Sequence, residues 1–441
     1  MGEFKLNDQQ RKAAQMIVEW YNGRPDNGKQ VFTIAGYAGT GKSTLVNHII
    51  VRLLGFNEDK VAYATPTGKA ATVLMRKGAK QATTIHRLIY DPVVSESVNV
   101  VNGKEVSVKT VKFAKKRSIG DFKLIVLDEV SMVNDKIMAD LLSYGIPILA
   151  TGDPGQLPPV AASPQDLLLH PDVALTEVVR QTSDNAILGI ATKARLGEYI
   201  KQGIYNDGQV IVIDKSLVTN RMLEDYINGA DQVICGRNAT RARLNDYIRS
   251  IKGYSGDPKD GEKIVCEENN YEVNFGDGYA LVNGMSGTVR SFKRADDEAG
   301  LATLEFKPEF LDGYGDALIA ESAAFSNYSY RYDRGQTALV MADGSYHMTK
   351  PMRKKRIGES YLDWKAEFSK EFLLKRRALG EFRVNKFQFG YAISCHKSQG
   401  SEWDSVLLFD ESRAFGQQAS KWLYTGITRA AKKLVIIRNS N

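Results

Sequence analysis

Short apolar runs alternate with helical stretches through the first third of the chain. VFTIAG (31–36) ends in a glycine, and apolar residues then recur at helical spacing over 44–54. Three further apolar runs end in polar residues: VAYATP (61–66), LIVLDE (124–129) and PILATGD (147–153). Strands that alternate with helices are typical of a parallel sheet covered on both faces, with ligands at the carboxyl ends of the strands. The pattern predicts an α/β domain over residues 1–171.

The pattern changes between Leu88 and Phe122. VNVVNGKEVSV (98–108) contains two strand-like runs around Asn102-Gly103, and this dipeptide is a strong hairpin turn signal. The basic stretch KFAKKR follows it. We predict an inserted β-hairpin over residues 88–122.

A second α/β pattern begins near residue 172. VIVI (210–213) and QVIC (232–235) are predicted core strands, and residues 238–251 are the predicted helix after the second strand. From about residue 270 the sequence becomes β-rich and punctuated by glycines, which predicts a small inserted barrel over 270–382. The α/β pattern resumes with FQFGYAIS (387–394) and ends with KLVII (433–437). The predicted second α/β domain therefore consists of residues 172–269 and 383–441.

Composition narrows the class of protein. Of the 441 residues, 43% are hydrophobic and 25% charged, as in ordinary soluble proteins, and no apolar run is long enough to span a membrane. The three cysteines are too few and too scattered for a disulfide framework or a zinc site, so we expect a cytoplasmic protein. The net charge of +7 favours a polyanionic partner. Residues 350–377, with ten basic and four acidic side chains, are either a phosphate-binding surface or a solvated helix face.

GYAGTGKS (36–43) fits the P-loop pattern, after a predicted strand and before a predicted helix. Its glycines let backbone N–H groups cradle phosphates, Lys42 would neutralise the β- and γ-phosphate oxygens, and the Ser43 hydroxyl would bind Mg²⁺. The motif predicts a site for ATP with Mg²⁺ as cofactor. The predicted ATP-binding residues here are Gly36, Gly39, Thr40, Gly41, Lys42, Ser43 and Thr44.

Two polar loops after later strands would complete an ATPase. Asp128 can hold Mg²⁺, and Glu129 can orient and deprotonate the attacking water. A small GTPase would use glutamine for that water and would need a guanine-reading motif, which the sequence lacks, so the pair favours ATP hydrolysis over a GTPase switch. The alternative is a surface acidic pair that follows a strand. Gln156, in TGDPGQLPPV (151–160), is placed to sense the γ-phosphate.

Two arginines beyond the first α/β domain are candidate stabilisers of the phosphoryl-transfer transition state. Arg180 lies in LTEVVRQ and Arg429 in YTGITRA. The alternatives are a structural salt bridge for Arg180 and a helix C-terminal cation for Arg429. If Arg429 lies on the second domain, the site is complete only when the two domains close on ATP. The predicted catalytic residues are Lys42, Asp128, Glu129, Gln156, Arg180 and Arg429.

Nine motifs occur in the order used by superfamily-one helicases: LNDQQ, GYAGTGKS, ATPTGKAA, TTIH, LDEVSM, GDPGQLPPV, LTEVVRQ, SCHKSQGSEWD and LYTGITRA. The chain resembles the 5′-to-3′ branch of that superfamily, as in RecD-type enzymes and the phage helicase Dda. The motifs run from end to end, although they are sparse between 255 and 385. The resemblance implies an α/β fold of two RecA-like P-loop domains with parallel sheets, a hairpin inserted in the first and an SH3-like β-barrel in the second.

The resemblance also assigns roles to further residues. Gln10 matches the glutamine that reads adenine, with a capped helix start as the alternative, and Glu402 matches an acidic residue near the nucleotide. For His86, a buried structural histidine is the alternative to a strand contact. The implied single-strand contacts are Pro66, Thr67, Lys69, Thr84 and His86 in the first domain and His396, Lys397 and Ser398 in the second. The implied strand-separating pin is the hairpin tip Val101, Asn102 and Gly103, which has valines where some family members carry an aromatic residue.

The implied activity is ATP-dependent translocation 5′ to 3′ on single-stranded DNA with unwinding of duplex, in replication, recombination or repair. Single-stranded DNA and duplex junctions are the implied substrates, a single-strand-binding protein or replication proteins are candidate partners, and a monomer away from membranes is expected. Alternatives remain open: an RNA-directed helicase, a DNA-stimulated ATPase without strand separation, a non-enzymatic single-strand-binding module, and a P-loop kinase or switch whose ATP turnover is indifferent to DNA.

Overall fold

The computed structural model describes residues 6–49, 53–76, 78–79, 81–101, 104–158, 166–177, 185–267, 270–275, 279–294, 302–309, 318–325, 331–333, 336–340, 346–347 and 385–439. The chain forms two compact units. The first unit comprises Met1–Tyr90, Lys115–Arg241 and Ala392–Asn441, and the second comprises Asp91–Ala114 and Ala242–Tyr391. Most of the two predicted α/β domains therefore falls in one unit, whereas residues 242–269 and 383–391 of the second predicted domain fall in the other.

The α-helices of the described residues are α1 (Asp8–Asn27), α2 (Lys42–His48), α3 (Gly68–Arg76), α4 (Ile85–Ile89), α5 (Asp135–Leu142), α6 (Ala186–Leu196), α7 (Asn220–Asn228), α8 (Asn238–Ile251) and α9 (Ala419–Ile427). The strands are β1 (Val31–Gly36), β2 (Val61–Thr65), β3 (Thr83–Thr84), β4 (Tyr90–Val101), β5 (Lys104–Lys115), β6 (Leu124–Leu127), β7 (Ile148–Gly152), β8 (Val173–Leu175), β9 (Gly203–Tyr205), β10 (Val210–Asp214), β11 (Gln232–Cys235), β12 (Lys263–Cys266), β13 (Asn270–Phe275), β14 (Tyr279–Leu281), β15 (Ser286–Arg294), β16 (Ala302–Pro308), β17 (Leu318–Phe325), β18 (Arg331–Asp333), β19 (Gln336–Val340), β20 (Tyr346–His347), β21 (Asn385–Phe389), β22 (Ala392–Ser394), β23 (Trp403–Asp410) and β24 (Ala430–Arg438).

The first sheet of the first unit is parallel, in the order β3-β2-β6-β7-β1-β8. Strands β2, β6 and β7 are buried along their whole length because both faces of the sheet are covered. Along β6, Leu124 and Val126 pack in the core that contains α1, whereas Ile125 and Leu127 pack in the core that contains α5. Gly36 of β1 pairs with Leu175 of β8, so this sheet extends beyond residue 171, the boundary expected from the sequence.

The second sheet of the first unit has the order β22-β11-β23-β24-β10-β9, with β9 antiparallel to β10 and the other described pairs parallel. Helices α6 and α9 bury Ile190, Trp422 and Ile427 against it. Leu157, from the loop after β7 of the first sheet, is 0% exposed and belongs to the same core. The two sheets therefore share a buried contact at this loop.

The second unit contains a closed barrel, β12-β15-β16-β17-β21. Its core includes Phe306, Phe387 and Phe389. Strands β4 and β5 pair as a two-stranded sheet, and the turn residues 102–103 lie outside the described part of the chain. The basic segment 350–377 also lies outside it.

The barrel extends beyond the expected range of 270–382 at both ends, because β12 and β21 complete it. The apolar run 387–394 was expected to resume the α/β pattern as one piece, but it is divided: β21 closes the barrel and β22 joins the second sheet of the first unit. Gly390 marks the division. A Cβ there would lie 3.1 Å from the backbone of Ile264, which is tighter than ordinary contact.

Among the described residues, none of the helices has both the length and the apolar character that crossing a membrane requires. The three cysteines are buried and form no disulfide.

Candidate active site

The loop between β1 and α2 follows a tight path that depends on glycine. Gly39 and Gly41 have φ values of 81° and 77°, in the left-handed region that glycine adopts without steric cost. A Cβ on Gly36 would lie 2.7 Å from the Thr40 hydroxyl. The glycine spacing of the motif is therefore a requirement of the loop itself.

Lys42 opens α2 and folds back over this loop. Its Nζ donates to the carbonyl oxygens of Gly36 (2.6 Å) and Tyr37 (3.2 Å). Ser43 and Thr44 follow in the first turn of α2. The ammonium group therefore lies at the loop, where a P-loop lysine neutralises phosphate oxygens.

The predicted acidic pair lies directly after β6. Asp128 Oδ1 accepts hydrogen bonds from the Glu129 N–H (3.0 Å) and from the Thr151 hydroxyl on β7 (2.5 Å). Glu129 has φ 56° and ψ 42°, a left-handed conformation. For a residue other than glycine such a conformation costs on the order of 1–3 kcal/mol, and it is concentrated at functional sites. The strained backbone of the loop therefore directs the Glu129 side chain differently from the way an ordinary backbone conformation would.

The electrostatics of Glu129 connect the two ends of the chain. Burial, followed by the charge of Asp128, raises the pKa of Glu129 to about 7. The charges of Arg429 and Lys42 act in the opposite direction, and Asp153 adds a smaller upward contribution. The P-loop lysine and the C-terminal arginine thus act on one carboxyl group, whose pKa suits a base working near neutral pH.

Arg429 follows α9 and is only 6% exposed. Its guanidinium donates to the carbonyl oxygens of Thr425 (3.0 Å) and Ser401 (2.9 Å) and to the Thr428 hydroxyl (3.0 Å). The bond to Thr425 is the helix C-terminal contact that the sequence left open as an alternative. That contact fixes the side chain, and it does not remove the effect of the guanidinium charge on Glu129.

Gln156 is buried, and its Oε1 has no hydrogen-bond partner among the described residues. The Ser401 hydroxyl is likewise buried without a partner there. Leaving a buried polar atom unsatisfied costs about 1–3 kcal/mol. Such atoms are expected where a ligand completes the hydrogen bonding. An amide oxygen can accept from an attacking water, whereas a phosphate oxygen needs the amide Nε2 as donor, so the role of Gln156 as a γ-phosphate sensor stays a prediction.

The oxygen donors of the site fit Mg²⁺. Asp128 offers a carboxylate oxygen of the kind that this ion prefers, and Ser43 stays a predicted ligand because its side chain lies outside the described part of the structure. Within the described parts of the chain, no group of three or more His, Cys, Asp or Glu side chains could hold a metal ion by itself. An ion held jointly by the protein and phosphate oxygens is the arrangement that Mg²⁺ usually adopts.

Hydrogen bonds join the two sheets beside this site. The Tyr424 hydroxyl of α9 bonds to Asp153 (2.7 Å) and to the N–H of Ala38 in the P-loop (2.9 Å). Leu157 donates its N–H to the Thr425 hydroxyl (3.0 Å) and accepts from Gln399 Nε2 (2.8 Å). The loops after β1 and β7 are thus bound to the helix that precedes Arg429.

The structure gives Gln10 the alternative role that the sequence left open. Its side chain accepts from the Asn7 N–H while Asn7 accepts from the Gln10 N–H, a reciprocal cap on α1. Gln10 Nε2 also donates to the Thr40 carbonyl oxygen (3.2 Å), so the cap is bonded to the P-loop. Adenine reading by Gln10 stays a prediction. Glu402 is exposed, and Arg180 lies outside the described residues.

The candidate strand contacts of the first sheet cluster at helix starts. Thr67 and Thr84 cap α3 and α4 through their hydroxyls (3.2 Å to the N–H groups of Ala70 and Arg87), and Pro66 precedes Thr67. Lys69 Nζ lies 4.3 Å from the ring centre of Trp403, which begins β23 of the second sheet. Lys69 therefore makes a cation–π contact between the sheets.

His86 and His396 are half-buried, and burial lowers the pKa of both below the ordinary 6.5. Both rings are therefore neutral near pH 7, so contact with a nucleic acid would be by stacking or hydrogen bonding. The His396 ring lies 5.7 Å from Phe415, which stacks on Trp422 of α9. Lys397 is half-buried beside it.

Ser398 differs from the other candidate strand contacts because it is 0% exposed. Its hydroxyl donates to the Cys395 carbonyl oxygen (2.7 Å). In this structure the side chain stabilises the turn and does not reach the surface.

Several residues of the site were missed by the sequence analysis. Tyr424, Asp153 and Tyr37 lie inside the quoted motifs, yet nothing in the spacing showed that they contact one another. Arg195 of α6, whose guanidinium lies 3.8 Å from the ring centre of Tyr37, has no local signal at all. Contacts between distant parts of a chain leave no periodic pattern in either part.

Comparison with known proteins bears on the identity of the chain. The family model described as an AAA domain matches residues 5–216, and the model described as a UvrD-like helicase C-terminal domain matches residues 389–437. The two models cover the P-loop with both acidic residues and the segment that contains Arg429.

Two helicases are similar to this chain over most of its length. The ATP-dependent RecD2 DNA helicase of Deinococcus radiodurans is 26% identical over 416 residues, which cover 91% of this chain and 46% of that protein. The ATP-dependent DNA helicase dda of Enterobacteria phage T4 is 24% identical over 441 residues, which cover 91% of this chain and 93% of that protein. The chain thus spans less than half of RecD2 but nearly all of the phage protein.

Among solved structures, Pif1 helicase from Bacteroides in complex with ADP-AlF3 and ssDNA aligns over 98% of this chain and 92% of that chain, at 16% identity and a TM-score of 0.49. The family assignment rests on the sequence matches. With the P-loop, the acidic pair and the C-terminal arginine in one site, the chain is related to the superfamily-one helicases of the RecD and Dda type, among which the two relatives named above are ATP-dependent DNA helicases.

Proposed function

We propose that this protein moves 5′ to 3′ along single-stranded DNA, driven by ATP hydrolysis, and separates the duplex ahead of it. One observation carries the proposal: α9, which precedes Arg429, is hydrogen-bonded to the P-loop through Tyr424 and Ala38 (2.9 Å) and to the loop after β7 through Thr425 and Leu157 (3.0 Å). A site built from both sheets can change with the state of the nucleotide. The substrate class, DNA, comes from the two relatives, both of which are DNA helicases.

Hydrolysis assigns distinct roles to the residues of this site. Glu129, as the carboxylate, takes a proton from the water that attacks the γ-phosphate. Lys42 and Arg429 stabilise the charge that develops on the phosphoryl oxygens. Gln156 Oε1 accepts a hydrogen bond from the attacking water. When bound by Ser43 and Asp128, Mg²⁺ supplies further charge neutralisation.

Movement requires that the nucleotide change the relative affinity of two DNA-binding surfaces for the strand. The loop after β2 and the starts of α3 and α4 supply candidate contacts from the first sheet, and His396 with Lys397 supply them from the second. Closure on ATP would bring the two DNA-binding surfaces together, and hydrolysis would let them move apart. A bias in direction arises because a ligand shifts an equilibrium only through its differential affinity for the two states.

Strand separation is assigned to the hairpin of β4 and β5. In this proposal the tip, Val101 to Gly103, excludes the complementary strand, and the barrel of the second unit is SH3-like. Opening one base-pair step costs about 1.4 kcal/mol. The proposed setting is DNA replication, recombination or repair, with the protein acting as a monomer alongside a single-strand-binding protein or replication proteins.

The test is an unwinding assay on duplexes with a 5′ tail, a 3′ tail or no tail. The proposal predicts ATP-dependent opening of the 5′-tailed duplex alone. Lys42→Ala should abolish opening while single-stranded DNA binding persists. Opening of the 3′-tailed duplex alone would contradict the direction. Stimulation of ATP hydrolysis by RNA but not by DNA would favour an RNA-directed enzyme instead.

A further inference from the structure

Tyr424 lies where three parts of the first unit meet. It belongs to α9 and is 2% exposed. Its hydroxyl donates to Asp153 Oδ2 (2.7 Å) and accepts from the Ala38 N–H (2.9 Å). Asp153 is fixed in turn by the Gly155 N–H, which donates to Oδ1 (2.9 Å). One oxygen atom therefore links the P-loop, the loop after β7 and the helix that precedes Arg429.

The ring of Tyr424 is held as closely as its hydroxyl. A Cβ on Gly155 would lie 2.8 Å from this ring, so only a glycine lets the loop after β7 approach so near. The Tyr37 ring packs edge-on at 6.5 Å between centres. Burial, followed by the charge of Asp153, raises the pKa of Tyr424 well above its ordinary value of 10. The hydroxyl therefore stays protonated and can donate to Asp153 at any working pH.

The two partners of the hydroxyl lie in loops that the proposed mechanism uses for the phosphates. Ala38 is the third residue of the P-loop motif, and Asp153 precedes Gln156 by three residues. Tyr424 in turn precedes Arg429 by five residues, and Arg429 lies two residues beyond the end of α9. A shift of either loop would therefore be passed to the segment that carries the arginine.

We propose that Tyr424 is a positioning residue that makes the placement of Arg429 depend on the P-loop and on the Asp153 loop. It touches no reacting atom. Its hydroxyl holds the two phosphate-side loops and α9 in the one arrangement in which Arg429 acts on the site of hydrolysis. Such preorganisation lowers the barrier because the stabilising charge is already in place when the transition state forms. This inference rests on the proposed function of the site in ATP hydrolysis.

The test is Tyr424→Phe, which removes the hydroxyl and keeps the ring. The matched control is Tyr90→Phe, which removes a tyrosine–aspartate hydrogen bond (to Asp140) in the same unit. Steady-state ATPase with saturating single-stranded DNA should show kcat for Tyr424→Phe reduced by about 10-fold or more, with KM for ATP changed less than about 3-fold. The melting temperature should fall no further than that of the control.

Two results would overturn the inference. The first is an unchanged kcat in Tyr424→Phe, with or without a rise in KM, and the second is an equal loss of kcat in Tyr90→Phe. A double-mutant cycle adds a second check. If the two groups act through their hydrogen bond, Tyr424→Phe with Asp153→Asn should be no slower than the slower single variant, whereas multiplied losses would contradict the bridge. Wild-type protein whose ATPase ignores single-stranded DNA would contradict the proposed function, and the comparison of kcat values would still test Tyr424.

Discussion

At the scale of single residues, Glu129 carries the clearest sign of chemistry. It combines a left-handed backbone, a carboxyl group whose pKa is raised by burial, and the nearby charges of Lys42 and Arg429. The strained backbone and the desolvated carboxyl group disfavour a purely structural glutamate, because each has a cost in the folded state. The residue is therefore best explained as a base that the surrounding loops hold in place.

Glu129→Gln should lower kcat for ATP hydrolysis by about 10²-fold or more, since the amide cannot accept the proton of the attacking water. In the wild type, kcat/KM should rise with pH through an ionisation near 7, because this parameter reports the free enzyme and the carboxylate is the active form. Steady-state assays between pH 5.5 and 8.5 measure both. The exposed Glu198→Gln is the control, and an equal loss of kcat there would contradict the assignment.

The same ionisation has a consequence for stability. The pKa of Glu129 is higher in the folded protein than its ordinary 4.5, so the folded state binds the proton more tightly than the unfolded state does. The group therefore destabilises the fold progressively as pH rises from about 4.5 to 7. Glu129→Gln should melt higher than the wild type at pH 8, by a margin that shrinks towards pH 5. A margin independent of pH would contradict the shifted pKa.

At the scale of elements, a buried ion pair joins α8 to the barrel of the second unit. Arg249 on α8 donates to both carboxylate oxygens of Glu262 (2.8 and 3.0 Å), which lies just before β12 and is 0% exposed. The guanidinium also lies 3.8 Å from the ring centre of Phe389 on β21. Three elements are thus fixed by one charged contact away from water.

Arg249→Met should lower the free energy of unfolding by about 3–5 kcal/mol, because it leaves the Glu262 charge buried without its partner. Lys432→Met is the control, since it breaks only the exposed pair with Asp404 and should lower the free energy of unfolding far less. Urea unfolding of the whole chain measures both. An Arg249→Met variant as stable as the control variant would contradict this account of the barrel.

The sequence predicted elements well wherever periodicity and local signals agree. The strand at 31–36 and the helix at 238–251 have the predicted bounds, and QVIC is the buried strand expected at 232–235. The run 387–394 was misassigned because an unbroken apolar stretch does not reveal that its two halves belong to different sheets. Within the site, motif spacing placed Lys42 and Glu129, but it gave no indication of the contact between Tyr424 and Ala38.

At the scale of the whole molecule, Lys69 raises a question about the strand-binding surface. It was expected to contact the phosphates of a single strand, and the structure places its ammonium group over Trp403 of the other sheet. One lysine can serve both roles, because a cation over an aromatic ring keeps its charge. The salt dependence of binding separates them, because only a phosphate contact releases a counterion.

If Lys69 contacts a phosphate, Lys69→Ala should weaken single-stranded DNA binding and reduce the slope of log K against log salt by about 1. Fluorescence anisotropy with a labelled oligonucleotide across a salt series measures the slope. Lys432→Ala removes an exposed lysine paired with Asp404 and should leave the slope unchanged. An unchanged slope in Lys69→Ala would show that this side chain serves only the contact between the sheets.

The proposed mechanism depends on a nucleotide site that residues from both sheets complete. Substitution of Arg429 tests this requirement most directly. The decisive measurement is kcat for ATP hydrolysis, with and without single-stranded DNA, in the wild type, Arg429→Ala, Arg429→Lys and the control Arg438→Ala. We expect DNA to stimulate the wild type and the control, and both Arg429 variants to lose about 10³-fold or more in DNA-stimulated kcat while still binding nucleotide and DNA. Undiminished turnover in the Arg429 variants, or a wild type indifferent to DNA, would contradict the account.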